Sequence, residues 1–236
     1  RHTRYWRDWS SDVCSSDLMT VRIQPSILSA DFVNFERDFA SISGADGIHV
    51  DVMDGHFVPN LTFGLPMVKR MQEITKLPLD VHLMIENPDY WAPLYAAAGV
   101  FSVTVHLEAC KDPRQIAEDI HKAGARAGIA IKPKTSLDEV KDVLEGYDQL
   151  LIMSVEPGFG GQSFIPESLE KAQAAKALLA GKEIWLQIDG GVDESNIATI
   201  AKSGVDTFVA GSAVFKASDR NGQIDLLRNL AYEALS

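Results

Sequence analysis

One pattern, repeated eight times, limits what this chain can fold into. From residue 21 onward, short apolar runs alternate with helical stretches. The runs are Val21–Leu28, Gly47–Val52, Leu79–Met84, Phe101–Leu107, Arg126–Ile131, Gln149–Val155, Glu183–Ile188 and Asp206–Ala210. Such runs suit strands buried on both faces of a parallel sheet. Between the first two, Phe32, Phe35, Phe39 and Ile42 mark one helical face. Asn87-Pro88 supplies a cap with proline at the first helical position. Asp112–Gln115 and Ser136–Glu139 read as capping boxes. Gly44, Gly99, Gly124, Gly146, Gly181 and Gly204 each stand where a left-handed residue ends a helix before the next strand. Eight such units over residues 19–236, about 27 residues each, lie near the lower size limit of a (β/α)8 barrel. The expected fold class is therefore α/β, a single (β/α)8 TIM barrel. An open doubly wound sheet rarely needs eight even units, and its dinucleotide loop is missing. The nearest match, Gly158 to Ser163, has serine where the third glycine belongs. No Walker A loop occurs either, since Gly181-Lys182 is followed by Glu183.

Residues 1–18 break the pattern. They hold two of the four tryptophans and Cys14, and have no face of period 2 or 3.6. No continuous apolar region follows their arginines, as a signal peptide would require. They are expected to be a non-native or disordered extension, with one catalytic barrel domain over 19–236. The formal net charge is −11, from 33 acidic and 22 basic residues. Arg1, Arg4 and Arg7 cancel Asp8, Asp12 and Asp17, so that charge belongs to the barrel. An acidic chain without a Lys/Arg cluster argues against nucleic acid or an anionic membrane as partner. No apolar run approaches the roughly 18 residues of a spanning helix. Cys14 and Cys110 give neither a disulfide framework nor zinc-finger spacing. An anionic ligand would have to be held by local dipoles or a metal.

In a barrel, chemistry sits where the strands end at the C-terminal face. His49 and Asp51 lie two apart in the second run and so point to one side. His82 is late in the third run, and Asp189 follows the seventh. Two imidazoles and two carboxylates converging there suit one divalent first-row metal such as Zn, Fe(II) or Mn. A single histidine is more often a satisfied core group; four such residues at strand ends favour a site. His106 has Glu108 two residues on, on the same face, which leaves room for a minor role. His56 reads as loop structure, His121 lies on a helix, and Cys110 reads as inert.

Glycine-rich turns follow the late strands. Pro157-Gly158-Phe159-Gly160-Gly161-Gln162, Gly190-Gly191 and Ala210-Gly211-Ser212-Ala213 would expose backbone N–H groups, the last opening a short helix. Together they make a phosphate grip that needs no Lys or Arg. Met53, Met84 and Met153 stand at or just past strand ends and would roof the reacting group.

A metal beside two carboxylates and a separate phosphate grip points to a small sugar phosphate. One carboxylate can take an α-proton and the other return one on the opposite face, which inverts the carbon. Asp51 and Asp189, three strands apart around an eight-strand ring, can flank a planar intermediate. Over residues 20–236 the sequence resembles the ribulose-phosphate 3-epimerase family. The resemblance rests on Pro25–Asp31, on His49–Asn60 (HVDVMDGHFVPN), on Asp80–Met84, on Glu156–Gln162 (EPGFGGQ) and on Asp189-Gly190-Gly191. It implies a ribulose-phosphate-binding barrel that interconverts D-ribulose 5-phosphate and D-xylulose 5-phosphate through an enediolate, in the pentose phosphate and Calvin pathways. It implies metal ligation by His49, Asp51, His82 and Asp189, with Asp51 and Asp189 as acid and base. The metal would be Zn, Fe(II), Mn or Co, with Zn or Fe(II) favoured. Substrate contacts are implied for Ser26 and His82. Phosphate contacts are implied for Gly158, Phe159, Gly160, Gly161, Gly190, Gly191, Gly211 and Ser212, and shielding for the three methionines. A cytoplasmic homo-oligomer is implied as well. Gln187 departs from the family by standing where an acidic residue is common, and Lys132-Pro133-Lys134 varies a loop. Neither touches an implied role. The rival readings are an epimerase of a hexulose phosphate such as D-allulose 6-phosphate, a lysine-bearing decarboxylase or aldolase of the same barrel group, and a non-catalytic sugar-phosphate sensor.

Overall fold

The computed structural model describes residues 20–236, so the expectation for residues 1–18 lies outside it. Eight strands form one parallel sheet: β1 (Arg22–Gln24), β2 (Ile48–Met53), β3 (Leu79–Met84), β4 (Ser102–His106), β5 (Arg126–Ile131), β6 (Gln149–Met153), β7 (Trp185–Asp189) and β8 (Thr207–Val209). Among the described residues nine α-helices accompany them: α1 (Phe35–Ala40), α2 (Leu65–Ile74), α3 (Pro88–Ala97), α4 (Pro113–Lys122), α5 (Leu137–Val140), α6 (Ser168–Leu178), α7 (Ile197–Lys202), α8 (Ser212–Phe215) and α9 (Arg220–Leu235). The strands run in the order β1-β8-β7-β6-β5-β4-β3-β2. The parallel bridge Ser26↔His49 joins β2 to the chain just past β1 and closes the ring. This is the (β/α)8 barrel that the eightfold pattern specified. No helix among the described residues is long and apolar enough to cross a membrane.

Alternation along the strands sorts the side chains into two environments. Val50, Val52, Val81, Leu83, Val103, Val105, Ile129, Leu150, Ile188 and Phe208 join the large core that also takes the buried faces of the helices. Their neighbours on the other side are polar yet buried: Gln24, His49, Asp51, Asp80, His82, Ser102, Thr104, His106, Gln149 and Gln187. The strands are thus buried on both faces, with hydrocarbon outside and a hydrogen-bonded polar interior. An apolar lining on that inner side survives near the mouth, where Met53, Val58 and Met84 cluster.

Local signals hold with physical exceptions. Ser136 and Glu139 form a complete capping box. Asp112 caps α4 by accepting from the Gln115 N–H, but the Gln115 amide turns to Asp119, so that box is half made. Asn87 makes no side-chain cap. Gly99, Gly124, Gly181 and Gly204 take positive φ as a helix stop demands, whereas Gly44 and Gly146 do not. The first strand ends three residues in, because Pro25 has no N–H to pair and Ser26 then caps a 3-10 turn over Ile27–Ser29. Only Phe35–Ala40 of the expected first helix winds as α; Phe32 precedes it and is 41% exposed.

Candidate active site and metal centre

Register places the polar side chains. β2 and β3 pair His49 with Asp80, Asp51 with His82, and Met53 with Met84, three steps rising to the mouth of the barrel. β7 brings Asp189 to the same level from the other side of the ring. One donor atom each from His49, Asp51, His82 and Asp189 lies within 4.8 Å of all the others. The cross distances are His82 Nδ1 to Asp51 Oδ1 3.1 Å, His49 Nε2 to His82 Nδ1 3.3 Å and His49 Nε2 to Asp51 Oδ1 3.4 Å. Asp189 Oδ2 stands 3.9 Å from both imidazole nitrogens.

This cluster fits a divalent cation. Four ligands at ~2.1 Å around a tetrahedral ion stand roughly 3.4 Å apart, and the imidazole–carboxylate and imidazole–imidazole separations here, 3.1 to 3.9 Å, bracket that spacing. Asp80 Oδ2 accepts from His49 Nδ1 at 2.9 Å, which leaves the Nε2 lone pair facing the centre. Asp80 is itself held by the Ser102 hydroxyl (2.6 Å) and by the Gln187 amide (2.7 Å). Burial acts to lower the pKa of His49, yet the charge of Asp51 and its bonds to Asp51 and Asp80 raise it well above the ordinary value. The surroundings therefore call for positive charge at the centre of the cluster, which a cation would supply.

The two carboxylates are driven apart. Burial works to raise the pKa of Asp51, and the charge and hydrogen bonds of His49 and His82 overcome it, leaving Asp51 well below the usual carboxylate range. Its Oδ2 also accepts the Ser26 hydroxyl at 2.6 Å. Asp189 makes no hydrogen bond to either imidazole, and burial followed by the charge of Asp51 outweighs the charges of His49 and His82 and pushes it up to about 6. In the cation-free cluster, Asp189 is therefore the carboxyl that holds a proton more readily.

Above the cluster opens a narrow cavity of about 50 Å³. Ser26, Asp51 and Asp189 reach it, as do Met53, Met84 and Met153. Gly158, Phe159, Gly160 and Gly161, Gly190 and Gly191, and Gly211 and Ser212 also line it. Gly190 is required: its φ is 126°, and an added Cβ would meet Val155 Cγ2 at 2.6 Å. His49 and His82 are fully buried and do not line the cavity. Of the residues set aside in sequence, His56 and His121 lie outside the cavity, whereas His106 meets His82 directly at 2.9 Å. Asp80, Ser102 and Ser154 were not singled out by sequence. The Ser154 hydroxyl donates to the carbonyls of Asp189 (2.9 Å) and Gly190 (2.7 Å) and fixes that turn. Gln187 reaches His49 at one remove, through Asp80.

Fold and site together define a class: a (β/α)8 barrel with a His2Asp2 cluster able to hold a metal ion, beside a glycine-walled cavity. Within that class, residues 22–215 match the ribulose-phosphate 3 epimerase family. Ribulose-phosphate 3-epimerase of Mycobacterium bovis is 53% identical over 211 residues, covering 89% of this chain and 92% of that protein. The Helicobacter pylori enzyme of that name is 41% identical over 212 residues, covering 89% and 98%. Among solved structures, KGPDC from Streptococcus mutans superimposes with a TM-score of 0.72 at 12% identity, over 92% of this chain and all of that one. That likeness concerns the fold alone. The chain belongs to the ribulose-phosphate 3-epimerase family.

Proposed function

We propose that this chain interconverts D-ribulose 5-phosphate and D-xylulose 5-phosphate, with Asp51 and Asp189 exchanging a proton at C3 from opposite faces. Kinship at 53% identity supports the reaction. The observation that carries the mechanism is the placement of two carboxylates, from β2 and β7, at one cluster of donors.

His49, Asp51, His82 and Asp189 would hold a divalent cation, which would supply Lewis acidity toward a carbonyl and offset negative charge on substrate oxygens. Two imidazoles with two carboxylates form a mixed N/O set that suits Zn or Fe(II) best, with Mn or Co also accommodated. The chain does the rest. One aspartate takes the proton from C3, leaving a planar enediolate, and the other delivers a proton to its opposite face, so that the carbon inverts. In the reverse direction the two exchange roles. Ser26 orients Asp51 through its hydroxyl. Met53, Met84 and Met153 keep water from the reacting carbon with polarizable, apolar walls. Backbone N–H groups of Gly158–Gly161, Gly190, Gly191, Gly211 and Ser212 grip the phosphate, which explains how a chain of net charge −11 holds a dianion.

The test is a coupled assay of purified protein, with bound metal measured in parallel and D-allulose 6-phosphate as competitor substrate. Higher kcat/KM for the pentulose phosphate, rising with metal content, is expected. Preference for the hexulose phosphate, or full activity with no bound metal, would overturn the reading.

A further inference from the structure

We infer that Asn60, on the loop after β2, holds the glycine loop after β6 in the orientation that offers its N–H groups to phosphate. Asn60 is a positioning residue, since it does not line the cavity. The inference deepens the proposed phosphate grip and rests on it.

The platform that carries Asn60 is tied down along its length. Asp54 Oδ1 accepts the N–H groups of His56 (2.8 Å) and Phe57 (2.9 Å), and its Oδ2 accepts the Glu86 N–H (2.8 Å). The Gly55 N–H donates to the Asn60 carbonyl at 2.9 Å, and the Thr62 N–H to that of Met53 at 3.2 Å. Asn60 Oδ1 accepts the Leu61 N–H at 2.9 Å, which fixes the side-chain amide. Its NH2 donates to the Gly158 carbonyl at 2.7 Å, across 98 residues of sequence. Val58 and Pro59 close on the same residue: a Cβ added to Gly158 would meet Val58 Cβ at 3.3 Å and Pro59 Cδ at 3.5 Å.

A peptide unit is planar, and every one here is trans, so a carbonyl and the N–H that follows it point in opposite directions. Holding the Gly158 carbonyl toward Asn60 therefore turns the Phe159 N–H away from the β2 loop. Gln162 repeats the device one unit further on. Its amide donates to the Phe159 carbonyl at 2.8 Å and to that of Glu156 at 2.7 Å, which directs the Gly160 N–H outward. Among the described residues, the N–H groups of Phe159, Gly160 and Gly161 meet no protein acceptor. They are donors left for an anion, in a loop that lines the cavity. The restraint is needed because Gly158, at φ 128°, has a backbone that takes many orientations at little cost. Unrestrained, the unit can turn over, and a carbonyl oxygen would then face the dianion in place of an N–H.

Two variants and one spectrum test this on the full chain. Asn60→Asp keeps the acceptor for the Leu61 N–H and removes the donor to Gly158. Asn60→Leu removes both and adds no charge. In each, KM for D-ribulose 5-phosphate is expected to rise about 10- to 100-fold, the worth of one hydrogen bond to a charged group, with kcat falling less. An unchanged KM in both, or a loss confined to kcat, would overturn the inference. A rise confined to one variant would overturn it too, by assigning the effect to the added charge or to the lost Leu61 bond.

The spectrum needs no variant to fold. Inorganic phosphate titrated into the parent is expected to move the 1H–15N signals of Phe159 and Gly160 downfield, together with those of Gly191 and Ser212. Shifts at Gly191 and Ser212 without one at Phe159 would overturn the inference and leave the rest of the grip standing. No shift at any of the four would overturn the grip itself, and the inference with it.

Discussion

His82 Nδ1 stands 3.1 Å from Asp51 Oδ1, between residues paired in register on neighbouring strands. A base candidate and a metal-ligand candidate are thus fixed side by side by the backbone ladder, with no loop between them. Preorganisation on rigid strands of this kind keeps the reacting groups from relaxing away from each other.

Asp51→Asn and Asp189→Asn should each lower kcat by about 10²- to 10⁴-fold, the usual worth of a positioned acid or base. Both substitutions keep volume, so circular dichroism should be unchanged. Near-parent turnover in either variant, measured by the coupled assay, would refute the two-carboxylate scheme.

Gly190→Ala should destabilise the fold and spoil the phosphate grip together. The backbone there is left-handed, with φ 126°, and a Cβ would press on Val155. A loss of roughly 2–3 kcal/mol is expected from strain and overlap. Urea unfolding and KM are the measurements, with KM rising more than kcat falls.

Acid should destabilise the protein in two stages. Burial lowers His106 to about 4 from an ordinary 6.5. Between those values the unfolded chain binds the extra proton, so stability falls as pH falls. Burial acts to raise Glu108, but hydrogen bonds from His106, Thr135 and the Lys132 N–H bring it down to about 2 from 4.5. Its stabilisation is full above pH 4.5 and disappears as pH drops toward 2, a range worth at most roughly 3–4 kcal/mol. Urea midpoints followed from pH 7 to 3 should show the decline, and Glu108→Gln should flatten its lower stage. An unchanged slope in that variant would refute the assignment.

Cys110 should resist alkylation in the native protein. Its thiol donates to the His106 carbonyl at 3.1 Å, and burial pushes its pKa up to about 12. Thiolate is therefore scarce at pH 8. Mass spectrometry after iodoacetamide should find the Cys110 peptide unmodified in native protein and modified in urea; rapid native labelling would contradict this environment.

The barrel was legible because eight short apolar runs and their helix stops leave few other architectures. The gathering of His49, Asp51, His82 and Asp189 was legible because strand ends in a closed ring share one mouth. Strand limits were less so: Pro25 ends β1 early for want of an N–H, which an apolar run from Val21 to Leu28 conceals. The polar interior was missed for a different reason. Asp80, Ser102 and Gln187 acquire meaning only when register sets them beside His49 and one another. The contact between His82 and His106 likewise depends on the β3–β4 pairing, which spacing along the chain does not encode.

The central claim is that two different carboxylates handle the proton at C3. A single turnover in D2O with protiated substrate tests it most directly. The account expects the product to carry deuterium at C3, delivered by the aspartate opposite the one that took the substrate proton. Product retaining its original protium at C3 would mean that one group removes and returns the same proton, and would contradict the account.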